Sequence, residues 1–430
     1  MSCAIIELDF EVVWMKRIIF HIDVNNAFLS WMAVERLKNG EKVDIRKRYA
    51  VIGGDEAARR GIVTAKSDLC KKCGVKTADT IYSAKKKCPY LEVYAGDFKV
   101  FRKYSDMMYN YLLKYTNVIE RYSIDECFLD YTASYRLFGD PVKVAYQIKD
   151  DIYRLFGFTV NVGVGNNKLE AKMASDFEKP NRVHTLFDEE ISTKMWILPI
   201  DDLFMLGKSS AKALREMGIE TIGELACYDV NRLIKRFKSH GKLMWEFANG
   251  IDNSEVSYQV RDAKSISCST VLPYDYRNRE DCLKVLRQLS MEVGRKLRLK
   301  KFYAKNVSIW IKYNNFVKES KQKNLENTIY NDMDIFHTSL VLFDSLWDKS
   351  IPIRALCVGV GHLSHEHDRQ LSLFEDKTNK GRSNHDMDNK LQEVIDKIRD
   401  KYGSDKIIFA DMKSEKKENV NARKTNKKGY

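Results

Sequence analysis

The feature that most constrains this chain is the run Ser123-Ile124-Asp125-Glu126, where two adjacent carboxylates stand at a tight turn between apolar segments. A lone acid, Asp23, closes an earlier apolar segment, Phe20-His21-Ile22-Asp23-Val24. Acids at strand ends can be held by a packed sheet. Three hard oxygen donors suit Mg2+, and two such ions about 3.5–4 Å apart serve phosphoryl transfer. Taken singly, the same acids read more plainly as turn caps or solvent-facing ends. The order of the surrounding elements favours the metal reading.

Lys16 to Val24 reads as a buried strand, and Phe98, Phe101, Tyr104, Met108, Tyr111, Leu112 and Tyr115 recur at helical spacing. A hairpin follows, with arms Val118 to Tyr122 and Glu126 to Tyr131. Val142, Ala145, Ile148, Ile152 and Leu155 mark a second helix, and Phe158 to Val164 alternates as a last strand. The order β-α-β-β-α-β is that of a ferredoxin-like sheet, four antiparallel strands with two helices on one face, within an α+β chain. Its topology sets the first strand beside the hairpin, so Asp23 is expected to meet Asp125 and Glu126. Neighbouring strand residues face opposite sides, so the turn at Ser123 to Asp125 is expected to break the pleat.

Gly163 and Gly165 remove side chains where something approaches the last strand closely, and Asn166 or Asn167 can cap a helix ending at Pro180. That helix is expected to bury Leu169, Met173 and Phe177. Lys168, Lys172 and Lys179 lie off the stripe, and a solvated face is the ordinary reading of each.

Asp23, the Ser123 to Glu126 run and Ala171-Lys172-Met173-Ala174-Ser175-Asp176 with Lys179-Pro180-Asn181 together resemble the three sequence blocks of Y-family DNA polymerases, the translesion enzymes of the bacterial polymerase IV and UmuC-like group. The resemblance runs from about Met15 to Phe374 with the blocks in order. It implies a right-handed polymerase with a ferredoxin-like palm, small fingers, a helical thumb and a C-terminal α/β little finger. It also implies roles: Asp23, Asp125 and Glu126 as the catalytic acids holding two Mg2+, with the Val24 carbonyl as a further ligand. Phe28 matches the steric gate against a ribose 2′-hydroxyl. Lys179 and Lys71 match nucleotide-binding positions, Lys71 standing where the family usually has an arginine, so charge is kept and bidentate geometry lost. Asp68 aligns with a tyrosine that bonds the triphosphate, and a carboxylate there is expected to point away. Asn25 replaces a frequent acid that is not a ligand.

The resemblance divides the chain into an N-terminal extension (1–14), palm (15–25 and 92–183), fingers (26–91), thumb (184–253), little finger (262–361) and a tail (362–430). Gly53-Gly54-Asp55-Glu56 has the look of a cyclic-dinucleotide cyclase motif but precedes a loop and not the palm hairpin. Leu203 to Ile219 resembles a helix-hairpin-helix, a DNA phosphate cradle, with Met205 in place of its first glycine. Residues 261–323 hold 16 Lys or Arg against six Asp or Glu, an excess of 10 within the chain's +13, which suits phosphates bound without regard to sequence.

In the polar tail, Gln370-Leu371-Ser372-Leu373-Phe374 resembles the bacterial sliding-clamp-binding motif, whose apolar Leu371, Leu373 and Phe374 need a partner cleft while Gln370 anchors by hydrogen bonds. Leu391, Val394, Ile395 and Ile398 suggest a short helix beyond it. Nine cysteines without a secretory signal, and no membrane-length apolar run, place the chain in a reducing cytoplasm. Cys70-Lys71-Lys72-Cys73 has zinc-like spacing without a second matched pair.

The resulting expectation is a monomeric DNA-directed DNA polymerase of low fidelity, using two Mg2+, primer-template DNA, deoxynucleoside triphosphates and a sliding clamp. The alternative is a non-catalytic DNA and clamp binder of the UmuC-like group, which would have no use for the three acids.

Overall fold

The structure, a computed structural model, describes residues 16–55, 59, 61–259, 262–366, 391–392, 394–399 and 401–403. The expected extension 1–14 and the motif Gln370 to Phe374 lie outside the described residues. The chain divides into two compact units, Met1–Val260 and Arg261–Tyr430.

The first unit begins with β1 (Ile19–Val24), α1 (Ala27–Lys38), β2 (Ala50–Gly53), β3 (Val63–Lys66), α2 (Asp68–Lys72), α3 (Ile81–Lys87) and β4 (Glu92–Ala95). It continues through α4 (Phe98–Leu112), β5 (Ile119–Arg121), β6 (Glu126–Asp130), α5 (Tyr135–Phe138), α6 (Pro141–Phe156), β7 (Val160–Gly165), α7 (Lys168–Asp176) and β8 (Val183–Leu186). A five-stranded sheet runs β5-β6-β1-β7-β8, with β1 antiparallel to both β6 and β7. The hairpin therefore lies beside the first strand, as the element order required. The fifth strand is new: Val183 and Leu186 are buried, and β8 pairs in parallel with β7 after the α7 crossover. Glu92–Ala95, assigned by sequence to the palm segment 92–183, instead pairs with β2 in the small sheet β3-β2-β4.

The period of two sorts β1 into two faces. Phe20, Ile22 and Val24 enter the main core with Tyr104 and Met108 of α4 and Ile148 and Ile152 of α6. His21 and Asp23 take the other face, which α7 covers. A Cβ on Gly163 would sit 2.0 Å from the Ala171 carbonyl oxygen, and one on Gly165 2.5 Å from Glu170 Cβ, so the two glycines are what let α7 lie on β7. Asn167 caps α7, accepting from the Glu170 amide. So close an approach buries the helix almost all round, Glu170 and Lys172 included, where the apolar stripe predicts a half-solvated one.

The remaining helices of this unit are α8 (Lys208–Arg215), α9 (Ile222–Ala226), α10 (Val230–Phe237) and α11 (Ser239–Ala248), packed on Leu169 and Met173 of α7. Met205 takes φ +65°, so the left-handed conformation that a glycine would favour is kept without one.

The second unit comprises β9 (Ser265–Tyr276), α12 (Arg279–Leu299), β10 (Tyr303–Tyr313), β11 (Lys318–Ile329), α13 (Asp332–Leu346) and β12 (Ile353–Ser364), with strand order β11-β10-β12-β9. The described residues among 391–402 are helical, and half-buried Arg298 pairs with both Asp332 and Asp396. No described helix is long and apolar enough to cross a membrane.

Glu170 gives a test of this packing. It is fully buried, its Oε2 accepts from the Asn166 amide at 2.6 Å, Oε1 has no partner, and burial pushes its carboxyl up to about 8. A raised carboxyl leaves the fold unburdened below the unfolded value near 4.5 and costs stability progressively until pH passes about 8. Glu170→Gln is therefore expected to match wild type near pH 4.5 and exceed it at pH 8.5 by on the order of 3 kcal/mol in urea titrations. Equal pH profiles would refute the assignment.

Candidate active site

The register Asp23↔Glu126, with the Val24 amide donating to the Asp125 carbonyl at 3.1 Å, brings the three expected acids to one end of the central strands. The turn departs from the ladder as expected: the Tyr122 and Ser123 amides both donate to the Glu126 carbonyl, at 3.0 and 3.2 Å. Ser123 Oγ donates to Asp125 Oδ1 at 2.6 Å, which fixes that carboxylate at the tip.

Lysines from the α7 segment meet the acids. Lys179 pairs with Asp23 and, at 2.8 Å, with Asp176. Lys172 donates to Glu126 Oε1 at 3.1 Å and lies 3.3 Å from Asp176. Lys168 donates to Glu120 at 2.7 Å. The three lysines are therefore paired, where the amphipathic pattern alone reads a solvated face; a buried carboxylate needs a countercharge, and α7 supplies it. Among the described residues no three His, Cys, Asp or Glu side chains form a metal-holding cluster.

Each acid carries the mark of its surroundings. Burial pushes the Asp23 carboxyl up, with Lys179 opposing. Burial also pushes Glu126 up, but the neighbouring Lys172 cation outweighs it and holds that carboxyl at about 2. His21 is fully buried, and burial pushes its imidazole down. Its Nδ1 faces Ser175 Oγ at 2.8 Å; that hydroxyl donates to the Lys172 carbonyl and so accepts from the ring. His21 Nε2 stays 3.7 Å from Glu126, beyond hydrogen-bond reach, which leaves Lys172 as the direct partner. Lys172 stands within the Ala171 to Asp176 block without a role of its own there, and no motif marks His21; their place on the α7-facing side gives both their roles.

Next to these acids a cavity of about 300 Å³ is lined by Val24, Asn26, Ser67, Lys71, Arg46 and Lys179, among others. Lys71 and Lys179, 108 residues apart, thus share one pocket. Arg46, which sequence reasoning missed, joins them while bonded to Asp44 and to the Gly157 carbonyl. Asp68 is also among the residues that line the pocket. It opens α2 after the Ser67 cap, and an acid is favoured at a helix N-terminus. Phe28, in the first turn of α1, packs on Phe101 with ring centroids 4.5 Å apart and on Trp31, and its ring is not among the groups lining the cavity. Asn25 is structural here, holding Asn161 at 3.0 Å and accepting from the Asn181 amide at 2.8 Å.

Hard oxygen donors at adjoining backbone positions fit divalent Mg2+. Asp23 fits in particular, because burial disfavours its charge and a bound cation would favour it.

Comparison with known proteins gives consistent matches. The sequence profile of the impB/mucB/samB family matches residues 22–176, and that of the family's C-terminal domain matches residues 263–373. The chain is 45% identical over 405 residues to DNA polymerase IV of Clostridium acetobutylicum, covering 94% of this chain and 100% of that one. It is 34% identical over 403 residues to DNA polymerase IV 2 of Bacillus subtilis, covering 92% and 94%. A solved Y-family DNA polymerase chimera shares the fold with a TM-score of 0.71 at 23% identity, covering 81% of this chain and 100% of the other.

The Lys172–Glu126 pair is testable through its electrostatics. A depressed carboxyl contributes stability that is present above the unfolded value near 4.5 and lost as pH falls through about 2. Lys172→Met, which strands Glu126, is expected to lose roughly 3 kcal/mol at pH 7, with the deficit shrinking toward pH 2. Adding Glu126→Gln should restore part of it. A deficit independent of pH in chemical denaturation would assign the loss to packing alone.

Proposed function

The chain belongs to the impB/mucB/samB family of Y-family DNA polymerases, and on that premise we propose that it is a DNA-directed DNA polymerase performing low-fidelity translesion synthesis by two-metal nucleotidyl transfer. The observation that carries the proposal is the cavity where Lys71 and Lys179 converge beside Val24, at the strand ends that bear Asp23, Asp125 and Glu126.

Asp23, Asp125, Glu126 and the Val24 carbonyl are the groups that would hold Mg2+. When bound, the metal pair supplies Lewis acidity to the attacking 3′-hydroxyl and the departing pyrophosphate. Lys71, Lys179 and Arg46 attract the triphosphate as fixed charges, three cations against the Asp68 carboxylate, so binding survives that departure at reduced strength. Lys172 keeps Glu126 ionised and aimed. Phe28 acts as the steric gate by turning its ring from Phe101 toward the sugar.

The proposal divides the chain as the sequence reading did, with palm strands from 15–25 and 92–183, fingers 26–91 extended to Ala95 by the β4 pairing, thumb 184–253 and little finger 262–361. In the second unit, β11 is an exposed edge strand carrying Lys318, Lys321 and Lys323, suited to a DNA backbone. Gln370, Leu371, Leu373 and Phe374 would dock on a sliding clamp, and the enzyme would act as a cytoplasmic monomer.

Primer extension with each deoxynucleotide separately, on undamaged and lesion-containing templates, tests the proposal. Asp125→Ala and Glu126→Ala are expected to abolish extension while DNA binding stays near wild type; activity within about tenfold, roughly 1.4 kcal/mol, would remove these acids from the mechanism. In the same assay Phe28→Ala should lower discrimination against ribonucleotides by at least about tenfold. Unchanged selectivity would place the gate elsewhere.

A further inference from the structure

The small sheet β3-β2-β4 encloses its own core of Val51, Val63, Cys70, Val75, Ile81, Ala84 and Cys88, with Cys73 packed against its edge. Three of the described cysteines thus gather in one place. The Cys88 thiol has Cys70 and Cys73 as electrostatic neighbours, and Cys70 has Cys88 and Cys73. No disulfide joins them, and they are not a metal-holding group. Their placement is uneven. Cys70 and Cys88 are buried, whereas Cys73 is half-exposed at the C-cap of α2. Cys88 caps the C-terminus of α3, so two helix ends meet at these sulfurs.

We propose that Cys73 and Cys88 form a peroxide-sensitive dithiol, a reversible modification site whose disulfide draws the ends of α2 and α3 together behind the nucleotide pocket. The chemistry balances. The Cys73 thiolate attacks one peroxide oxygen; an S–O bond forms, the O–O bond breaks, and the departing hydroxide takes a proton to become water. Cys88 then gives its proton to solvent and attacks the Cys73 sulfur; the S–S bond forms, the S–O bond breaks, and hydroxide again leaves as water. Two thiols lose two electrons and two protons, and hydrogen peroxide is reduced to two waters.

The division of labour follows from the surroundings. Cys73 alone of the three has solvent access, and the last turns of both helices are lysine-rich, with Lys71 and Lys72 on α2 and Lys85, Lys86 and Lys87 on α3. Burial pushes the Cys88 thiol up to about 12, which suits a resolving thiol that stays protonated until a sulfenic acid is presented to it. A disulfide requires sulfurs about 2.05 Å apart and a fixed torsion, so bond formation must shift the short α2. The opposite face of α2 carries Asp68 and Lys71 into the cavity, so the shift displaces a pocket lysine.

The disulfide itself is independent of the polymerase reading, whereas its effect on nucleotide binding rests on that reading. The full-length protein, reduced and then treated with a small excess of hydrogen peroxide, is digested without reduction and mapped by mass spectrometry. A linked pair of peptides containing Cys73 and Cys88 is expected, lost in Cys73→Ser and Cys73→Ala and retained in Cys227→Ser, which removes the exposed cysteine of the thumb-like helices. In primer extension the oxidised wild type should show a KM for deoxynucleotide raised about tenfold, reversed by dithiothreitol and absent in the Cys73 variants. Oxidation of Cys73 without a Cys88 partner, or a link to any other cysteine, would overturn the proposal. A Cys73–Cys88 link with unchanged KM would overturn the coupling to the pocket. The peptide map decides the first point even in a preparation that extends no primer.

Discussion

The structure turns on the close seating of α7 against β1 and β7, because that contact puts cations where the buried acids need them. Asp23 and Glu126 face α7 from neighbouring strands, in surroundings that disfavour charge. Left alone, either would gain a proton or pull water into the sheet. Lys172 and Lys179 prevent both, and because Lys179 also pairs with Asp176 and Lys172 approaches the same carboxylate, the four groups form a connected set with Asp176 at its open side. A set of this kind holds the acids ionised while leaving cationic partners that can be exchanged. That is the electrostatic state a divalent-metal site requires before metal arrives.

The seating depends on absent atoms. Gly163 and Gly165 alternate along β7 on the side that α7 covers, and a methyl group at either would push the helix away by its backbone. The glycines, the lysines and the acids are therefore one arrangement, although they come from four separate stretches of chain. His21 belongs to it as well, since Ser175 of α7 holds its ring and the ring fills the space beneath Glu126.

Much of this was legible beforehand, for identifiable reasons. Periodicity found α4, α6 and the hairpin because their apolar faces are regular, as Tyr104, Met108 and Tyr111 on α4 show. The acids were legible because two carboxylates at a turn are rare. The close approach at Gly163 and Gly165 was visible, but not its occupant, since a missing side chain does not say what fills the gap. Lys172 was read against the grain: charge off an apolar stripe predicts solvent, and only a helix buried on both sides reverses that. Strand β8 escaped because four residues, Val183-His184-Thr185-Leu186, give too little alternation to register. Arg46 escaped because nothing in Asp44-Ile45-Arg46, 23 residues beyond Asp23, signals a pocket. Asp68 answers to two influences, repulsion from a phosphate and attraction to the α2 N-terminus, and only the first is visible in a motif comparison.

The second unit shows how far a charge count can be taken. Of the basic residues between 261 and 323, Arg298 is held between Asp332 and Asp396, and Arg279 is held by Asp344 at 2.7 Å. These hold helices in place and contribute little to an external field. The lysines of β11 differ in kind, because the strand is at the sheet edge with residues 318–324 all exposed, and Lys318 lies over the Trp310 ring at 4.4 Å. Charges on an edge strand block pairing with another sheet, and the same exposure makes them available to phosphates. The two uses are compatible, since a polyanion bound along the edge neutralises the lysines without offering the strand any backbone to pair with. An open edge with lysines on it is thus protected from aggregation by the property that suits it to DNA.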